Sequence, residues 1–331
     1  MNQKTQRHTT NRRDFLLRLL KGSISIGAAC SLSYWLYDAT GPGAARGQKD
    51  LVTLPDFSLS SLKGKMSIVT GGDRTETVRR AFDAMGGIET FIKKGDRVLL
   101  KVNAAFATPP ILSATTNPQL VAEIARLCYK AGASTVVVTD NPINDPASCF
   151  SLTGIEEAAK SAGAKVFLPK ESYFQPTTVS NGVLIQNWPI LWEPFQKINR
   201  VIGIAPVKDH HRSGASMTMK NWYGLLGGSR NIFHQDIHNI IKELAIMVKP
   251  TLVVLDGTTT MMTNGPTGGS LGDLKETATM IVSTDQVAAD AFGATLLGKT
   301  VADLPYILKA ETAGLGTADY EALSPIRLNT A

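Results

Sequence analysis

Four of the five histidines in this 331-residue chain, His210, His211, His234 and His238, fall within 29 residues. Residues four apart on a helix share a face, and imidazole is a common ligand for divalent metals. His210, His234 and His238 are therefore a candidate metal set, with Asp209, Asp236 or Asp256 as an oxygen donor. The spacing matches no signature such as His-Glu-x-x-His, so surface or capping histidines stand as the alternative. Lysines carry a second chemistry. Lys101, Lys208 and Lys220 lie at or near expected strand ends, where an ammonium can bind an anion or, with its pKa lowered by burial, move a proton. The Gly-rich run 264–272 offers backbone N–H groups to an anion, but it matches neither the Walker A nor the dinucleotide fingerprint and reads equally well as a mobile loop.

Such groups need a scaffold, and the chain spells one out. Strand and helix patterns alternate from Met66–Thr70 through 75–92, 97–102, 118–131, 135–139, 154–162 and 165–168, and resume from 200 to 313. That rhythm predicts an α/β fold, a mainly parallel sheet with helices on both faces. Asn117 as N-cap, Pro118 at the first helical position and Gly132 at the end punctuate one helix. Asn181-Gly182 predicts a β-hairpin excursion over about 172–198. Strand after strand ends in polar residues, at Lys101 to Asn103, Asp140-Asn141, Lys208-Asp209 and Asp256. In open parallel sheets ligands bind at those carboxyl ends, so a shared cleft is expected there.

The N-terminus carries Arg12-Arg13, then Phe15-Leu16, then the uncharged run 22–37. This is the pattern of a twin-arginine export signal, implying the twin-arginine translocase as a partner and a periplasmic or extracytoplasmic location. Sixteen residues rich in Gly and Ser are short for a bilayer span. Residues 1–45 are expected to be a signal segment with Gly43-Ala44-Ala45 as cleavage site, 46–64 a linker and 65–331 a single domain; an uncleaved membrane anchor is the alternative. Six basic against two acidic residues give the segment +4 of the chain's +6, leaving +2 for the rest. A net charge that small gives no footprint for nucleic acid. Beyond Cys30, only Cys128 and Cys149 remain, too few for an all-Cys iron–sulfur cluster. They are either one disulfide or buried thiols.

The chain resembles the family of domain of unknown function 362. The resemblance rests on Leu100-Lys101-Val102-Asn103, Thr115-Thr116-Asn117-Pro118, Lys208-Asp209-His210, Met219-Lys220-Asn221-Trp222-Tyr223-Gly224, Leu255-Asp256-Gly257, Asn264-Gly265-Pro266 and the run from Ser283 to Asp290. It implies that Lys101, Asn103, Lys208, His210, Lys220, Asn221, Asp256, Asn264, Asp285 and Asp290 form one functional surface. Some members carry ferredoxin-type cysteine clusters, which would imply a redox partner protein; this chain has none. Residues and resemblance together point to an exported protein that binds a metal or an anionic small molecule, as an enzyme or cofactor protein. Catalytic roles fall to Lys101, Lys208, His210 and Lys220, and cofactor contacts to Asn103, Asn221, Asp256, Asn264 and Asp285. The alternative is a non-catalytic accessory or assembly protein using exposed Trp188, Trp192 and Phe195.

Overall fold

The computed structural model describes residues 11–35 and 50–330, and the chain forms two compact units that divide after Gly41. In the first, α1 (Arg12–Trp35) begins at the twin arginines. Its stretch Phe15–Trp35, 21 residues, is long and apolar enough to cross a membrane. It exceeds the expected apolar run because Phe15, Leu16, Leu17, Leu19 and Leu20 continue the apolar surface past Arg18 and Lys21. The expected cleavage site Gly43-Ala44-Ala45 lies outside the described residues.

The second unit is the expected α/β fold. Its strands are β1 (Met66–Thr70), β2 (Arg97–Lys101), β3 (Thr135–Thr139), β4 (Lys165–Phe167), β5 (Phe174–Thr177), β6 (Trp188–Leu191), β7 (Arg200–His210), β8 (Gly214–Ser216), β9 (Leu252–Met261), β10 (Leu274–Ser283) and β11 (Ile326–Asn329). The main sheet runs β11-β1-β10-β9-β7-β2-β3-β4, with β8 folded back on β7. From β9 to β4 every neighbour is parallel. Along this path β10 runs the other way, between β9 and β1, as does β8 against β7.

Helices α2 (Arg74–Ala84), α3 (Pro118–Lys130), α4 (Pro146–Leu152), α5 (Ile155–Ser161), α6 (Thr218–Asn221), α7 (Ile237–Met247), α8 (Gln286–Leu296) and α9 (Pro305–Thr312) surround the sheet. Strand side chains alternate between faces, and two cores result. Val98, Leu100, Ile202 and Val254 pack with Phe82 of α2 and Leu120 and Ile124 of α3. Leu99, Val201, Val253 and Ile281 face Ile240 and Leu244 of α7 and Val287 of α8. Each such side chain removed from water contributes about 1.5–3 kcal/mol. Asn117 caps α3 through the Gln119 N–H at 2.9 Å, as its sequence promised. α2 stops at Ala84, short of the expected Ile92, because Gly86 and Gly87 both take positive φ, which ends the helix cheaply.

Two expectations about the peripheral segments resolve differently. β5 and β6 do form an antiparallel pair, with Asn181 at positive φ in the connection. The buried carboxylate of Glu243 on α7 clamps that connection, accepting from the N–H groups of Val183 (2.7 Å), Leu184 (3.0 Å) and Ile185 (2.9 Å). The expected linker 46–64, by contrast, is docked from residue 50 onward. Leu54 and Phe57 are buried, the Val52 N–H donates to Pro176 O and the Phe57 N–H to Lys249 O. Two apolar anchors outweigh a polar composition. Cys128 and Cys149 are buried free thiols, and burial pushes the Cys128 thiol up to about 12.

Candidate functional site

β7 is eleven residues long, but β2 pairs with it only as far as Gly203. The remainder runs on past β2, paired along its other edge with β9 as far as Lys208 and steadied by β8, with Lys208 opposite Ser216 and His210 opposite Gly214. Lys208 and His210, two residues apart, project to the same side. The turns after β2 and β3 and the segment 220–235 close around them, enclosing a cavity of about 720 Å³. It opens at the carboxyl ends of β2, β3 and β7, where the sequence placed a cleft.

Below the cavity lies a sealed charge. Lys101 is fully buried; its Nζ lies 2.8 Å from Asp140 Oδ1 and donates to Val102 O and Asn221 O, both at 2.7 Å. Asp140 Oδ2 accepts from the Ala104 N–H at 2.7 Å. Asn221 completes the layer by donating from Nδ2 to Lys101 O (3.2 Å) and Ile204 O (3.1 Å). Burial pushes the Lys101 amine down and Asp140 counters it. Lys101, one of the expected catalytic residues, does not line the cavity; its ammonium is taken up by this closed layer. Asn221 reaches the cavity wall, but its amide is spent on this layer. Gly224 packs so tightly here that a Cβ would meet Asp140 Oδ1 at 2.0 Å and Lys101 Nζ at 2.8 Å.

Above it the cations have no such partner. Lys208 Nζ donates to Ala114 O at 2.5 Å and lies 5.2 Å from the centre of the Phe106 ring. Lys220 Nζ lies 5.2 Å from the Tyr223 ring centre. Neither forms an ion pair among the described residues. Burial first, then Lys220's charge, lowers Lys208 to about 7; burial first, then Arg230, lowers Lys220 to about 7. Arg230 is held entirely by carbonyls, donating to Tyr223 O and Leu226 O from Nη1 and to Asn141 O and Pro142 O from Nη2. Asn103 lines the same wall, its backbone N–H donating to Thr116 Oγ1 at 2.7 Å. Arg230 and Tyr223 had no sequence signal of their own beyond Tyr223's place in a family motif, since their partners are mostly backbone oxygens.

The histidines separate. His210, His211 and His234 line the cavity and His238 does not. His234 sits in a 3₁₀ turn, Arg230–Asp236, while His238 is in α7, and the chain bends between them at Asp236. The four-residue spacing therefore does not share a face. His238 stacks on buried Tyr306, ring centres 6.3 Å apart. His210 Nδ1 is the acceptor for the Arg212 and Ser213 N–H groups. Among the described residues no three His, Cys, Asp or Glu side chains are placed to hold a metal ion. The expected set of His210, His234 and His238 does not fit one.

Three other expected residues serve the fold elsewhere. Asn264 is turned to Asp273, donating to Oδ1 at 2.6 Å, and the Gly268 N–H of the same run donates back to Asn264 O; the loop is pinned on itself. Asp256 pairs with Arg74 at 2.9 Å. Asp285 caps α8 through the Val287 and Ala288 N–H groups. It follows β10, whose reversed direction carries it to the opposite end of the sheet from the cavity. Asp290, fully buried, accepts from the Thr218 N–H (2.8 Å), Thr218 Oγ1 (2.5 Å) and the Met219 N–H (3.2 Å), and so orients the turn that presents Lys220. Burial pushes its carboxyl up to about 7.

Fold and cavity together define an α/β protein with a cationic, donor-rich cleft at the carboxyl ends of its parallel strands. The chain belongs to the family described as domain of unknown function (DUF362), whose profile matches residues 98–295. Every motif on which the resemblance rests lies inside that range. A relative, the thylakoid-associated protein sll1697 of Synechocystis sp., is 24% identical over 263 residues, covering 77% of this chain and 79% of its own. The lactate racemase apoprotein of Thermoanaerobacterium thermosaccharolyticum superposes with a TM-score of 0.37 at 12% identity, over 71% of this chain and 57% of that one. The match thus spans little more than half of that protein.

Proposed function

We propose that this protein binds an anionic small molecule in the cavity at the ends of β2, β3 and β7. One observation carries the reading: Lys208, Lys220 and Arg230 converge on the cavity, while its lining carboxylate, Asp140, is already paired with Lys101. Buried charge without a counter-charge is costly, and an incoming carboxylate or phosphate relieves that cost. Amines near pH 7 are also matched to proton transfer with a bound ligand, which gives Lys208 and Lys220 an acid–base role if the protein is an enzyme. The partner-binding alternative loses its surface, because Trp188 and Phe195 are buried and Trp192 is half-buried.

The reading places this activity outside the cytoplasm, delivered by the twin-arginine route, with α1 as the export signal or a retained anchor. Arg12-Arg13 at the head of an apolar helix supports it, and the relative named for thylakoid association accords with a chain that works at or across a membrane. Thermal-shift measurement against acetate, glycolate, inorganic phosphate and glycerol 3-phosphate tests the binding. Anions should stabilise the wild type, and the Lys208→Met/Lys220→Met double variant should lose the shift. No stabilisation by any anion would remove the reading. Fractionation of cells expressing Arg12→Lys/Arg13→Lys beside the wild type tests the address, with cytoplasmic accumulation of the variant expected.

A further inference from the structure

Three imidazoles line one wall of the cavity in a stack. The His210 ring centre lies 5.0 Å from that of His211, with 8° between the planes, and 5.9 Å from that of His234, at 11°. Their hydrogen bonds fix which nitrogen carries the proton. An amide N–H can only donate, so His210 Nδ1, facing the N–H groups of Arg212 (3.2 Å) and Ser213 (3.3 Å), must present a lone pair. Its proton is then on Nε2.

His234 is the reverse. Its Nδ1 faces Asn231 O at 3.3 Å and Tyr223 Oη at 3.0 Å. The Tyr223 hydroxyl has already donated its proton to Arg230 O, so both neighbours are acceptors and Nδ1 must carry the hydrogen. Nε2 of His234 is left with the lone pair. His211 repeats the pattern, with Nδ1 3.3 Å from Gly265 O. Gly265 reaches that position only as glycine, since a Cβ would meet Asp209 O at 1.8 Å. Burial and the Lys220 charge keep His210 and His234 neutral.

We infer that His210 and His234 are locked in opposite tautomers and read the two halves of a hydroxylated organic anion, His210 Nε2–H donating to its oxyanion and His234 Nε2 accepting from its hydroxyl. This rests on the anion-binding reading and narrows it. A wall of donors alone would take any anion of the right size. A lone pair beside the N–H repels a second anionic oxygen and rewards an O–H, so the site selects for a hydroxyl near the charged group. Hydroxycarboxylates and phosphorylated alcohols share that chemistry.

Two measurements on the full chain test it. The first is ¹⁵N NMR of histidine-labelled protein, whose ring nitrogen shifts separate the two neutral tautomers. A protonated Nε2 on His210 and a protonated Nδ1 on His234 are expected; the same tautomer on both overturns the inference, and wild-type protein suffices for this arm. The second is calorimetry with matched pairs, glycolate against acetate and glycerol 3-phosphate against propyl phosphate. The wild type should prefer the hydroxylated member of at least one pair by about tenfold or more, the scale of one buried hydrogen bond. The pair that shows it identifies the carboxylate or phosphate source. His234→Phe should abolish the preference while keeping anion binding. Binding without any hydroxyl preference sinks the tautomer inference and leaves the anion site standing; no anion binding sinks both. Zinc bound by the wild type and not by His234→Phe would also overturn it, because the lone pair would then be serving a cation.

Discussion

Lys101 and the pair Lys208 and Lys220 are all buried lysines beside the same strand ends, yet they do opposite work. Around Lys101 every proton of the ammonium has an oxygen, one of them a carboxylate. Around Lys208 and Lys220 the surroundings are a carbonyl and two aromatic rings. Burial alone therefore does not mark a functional lysine; the missing counter-charge does. The closed layer holds the strand ends together, and the open one waits for charge from outside.

The hardest way to break this contrast is to remove the counter-charge where it exists. Asp140→Ala strands Lys101, and urea unfolding should report a loss of about 3–5 kcal/mol. Losing less than about 1 kcal/mol would mean that the lower layer is not closed. The next effect lies above it. Lys208→Met/Lys220→Met should weaken the tightest anion of the panel by about 100-fold in calorimetry, about 2.8 kcal/mol at tenfold per 1.4 kcal/mol, while leaving urea stability equal or higher because two uncompensated charges are gone. A variant that binds normally would place the anion elsewhere.

The pH dependence sharpens the comparison further. Both upper lysines sit at about 7 in the folded protein, against about 10.4 in the unfolded chain. Between those values the unfolded state holds more protons, so ligand-free stability should rise with pH from about 7 to 10. Anion affinity should move the other way, falling about tenfold per required ammonium between pH 6 and 8. Flat profiles in both measurements would show that the lysines are not the titrating groups. The smallest expected effect is at the support. Asp290→Asn keeps the shape but loses one acceptor for the turn 218–219, and should cost about 1 kcal/mol with a few-fold weaker anion binding.

How much of this was legible depended on whether direction mattered. The parallel order from β2 to β9, the cap at Asn117 and the cleft at the strand ends follow from periodicity and punctuation, which survive without knowing the partner of any strand. A strand reads alike in either direction, so nothing local said that β10 returns and carries Asp285 to the far end. His234 and His238 were grouped by a helical spacing that holds only if one helix spans both, and the chain changes from a 3₁₀ turn to an α-helix at Asp236. Arg230 was invisible for another reason. Its partners are four backbone carbonyls, and a carbonyl leaves no trace in a sequence.

Gly224 separates the two layers, and its place in the family motif takes on a definite meaning. The partition between the sealed lysine and the ligand chamber is here a bare peptide chain, with no room for one more carbon. A methyl added there presses on the Lys101–Asp140 pair from one side while its residue still lines the chamber on the other. Stability and recognition thus share a wall one backbone thick, and this residue cannot drift for the sake of either without disturbing the other.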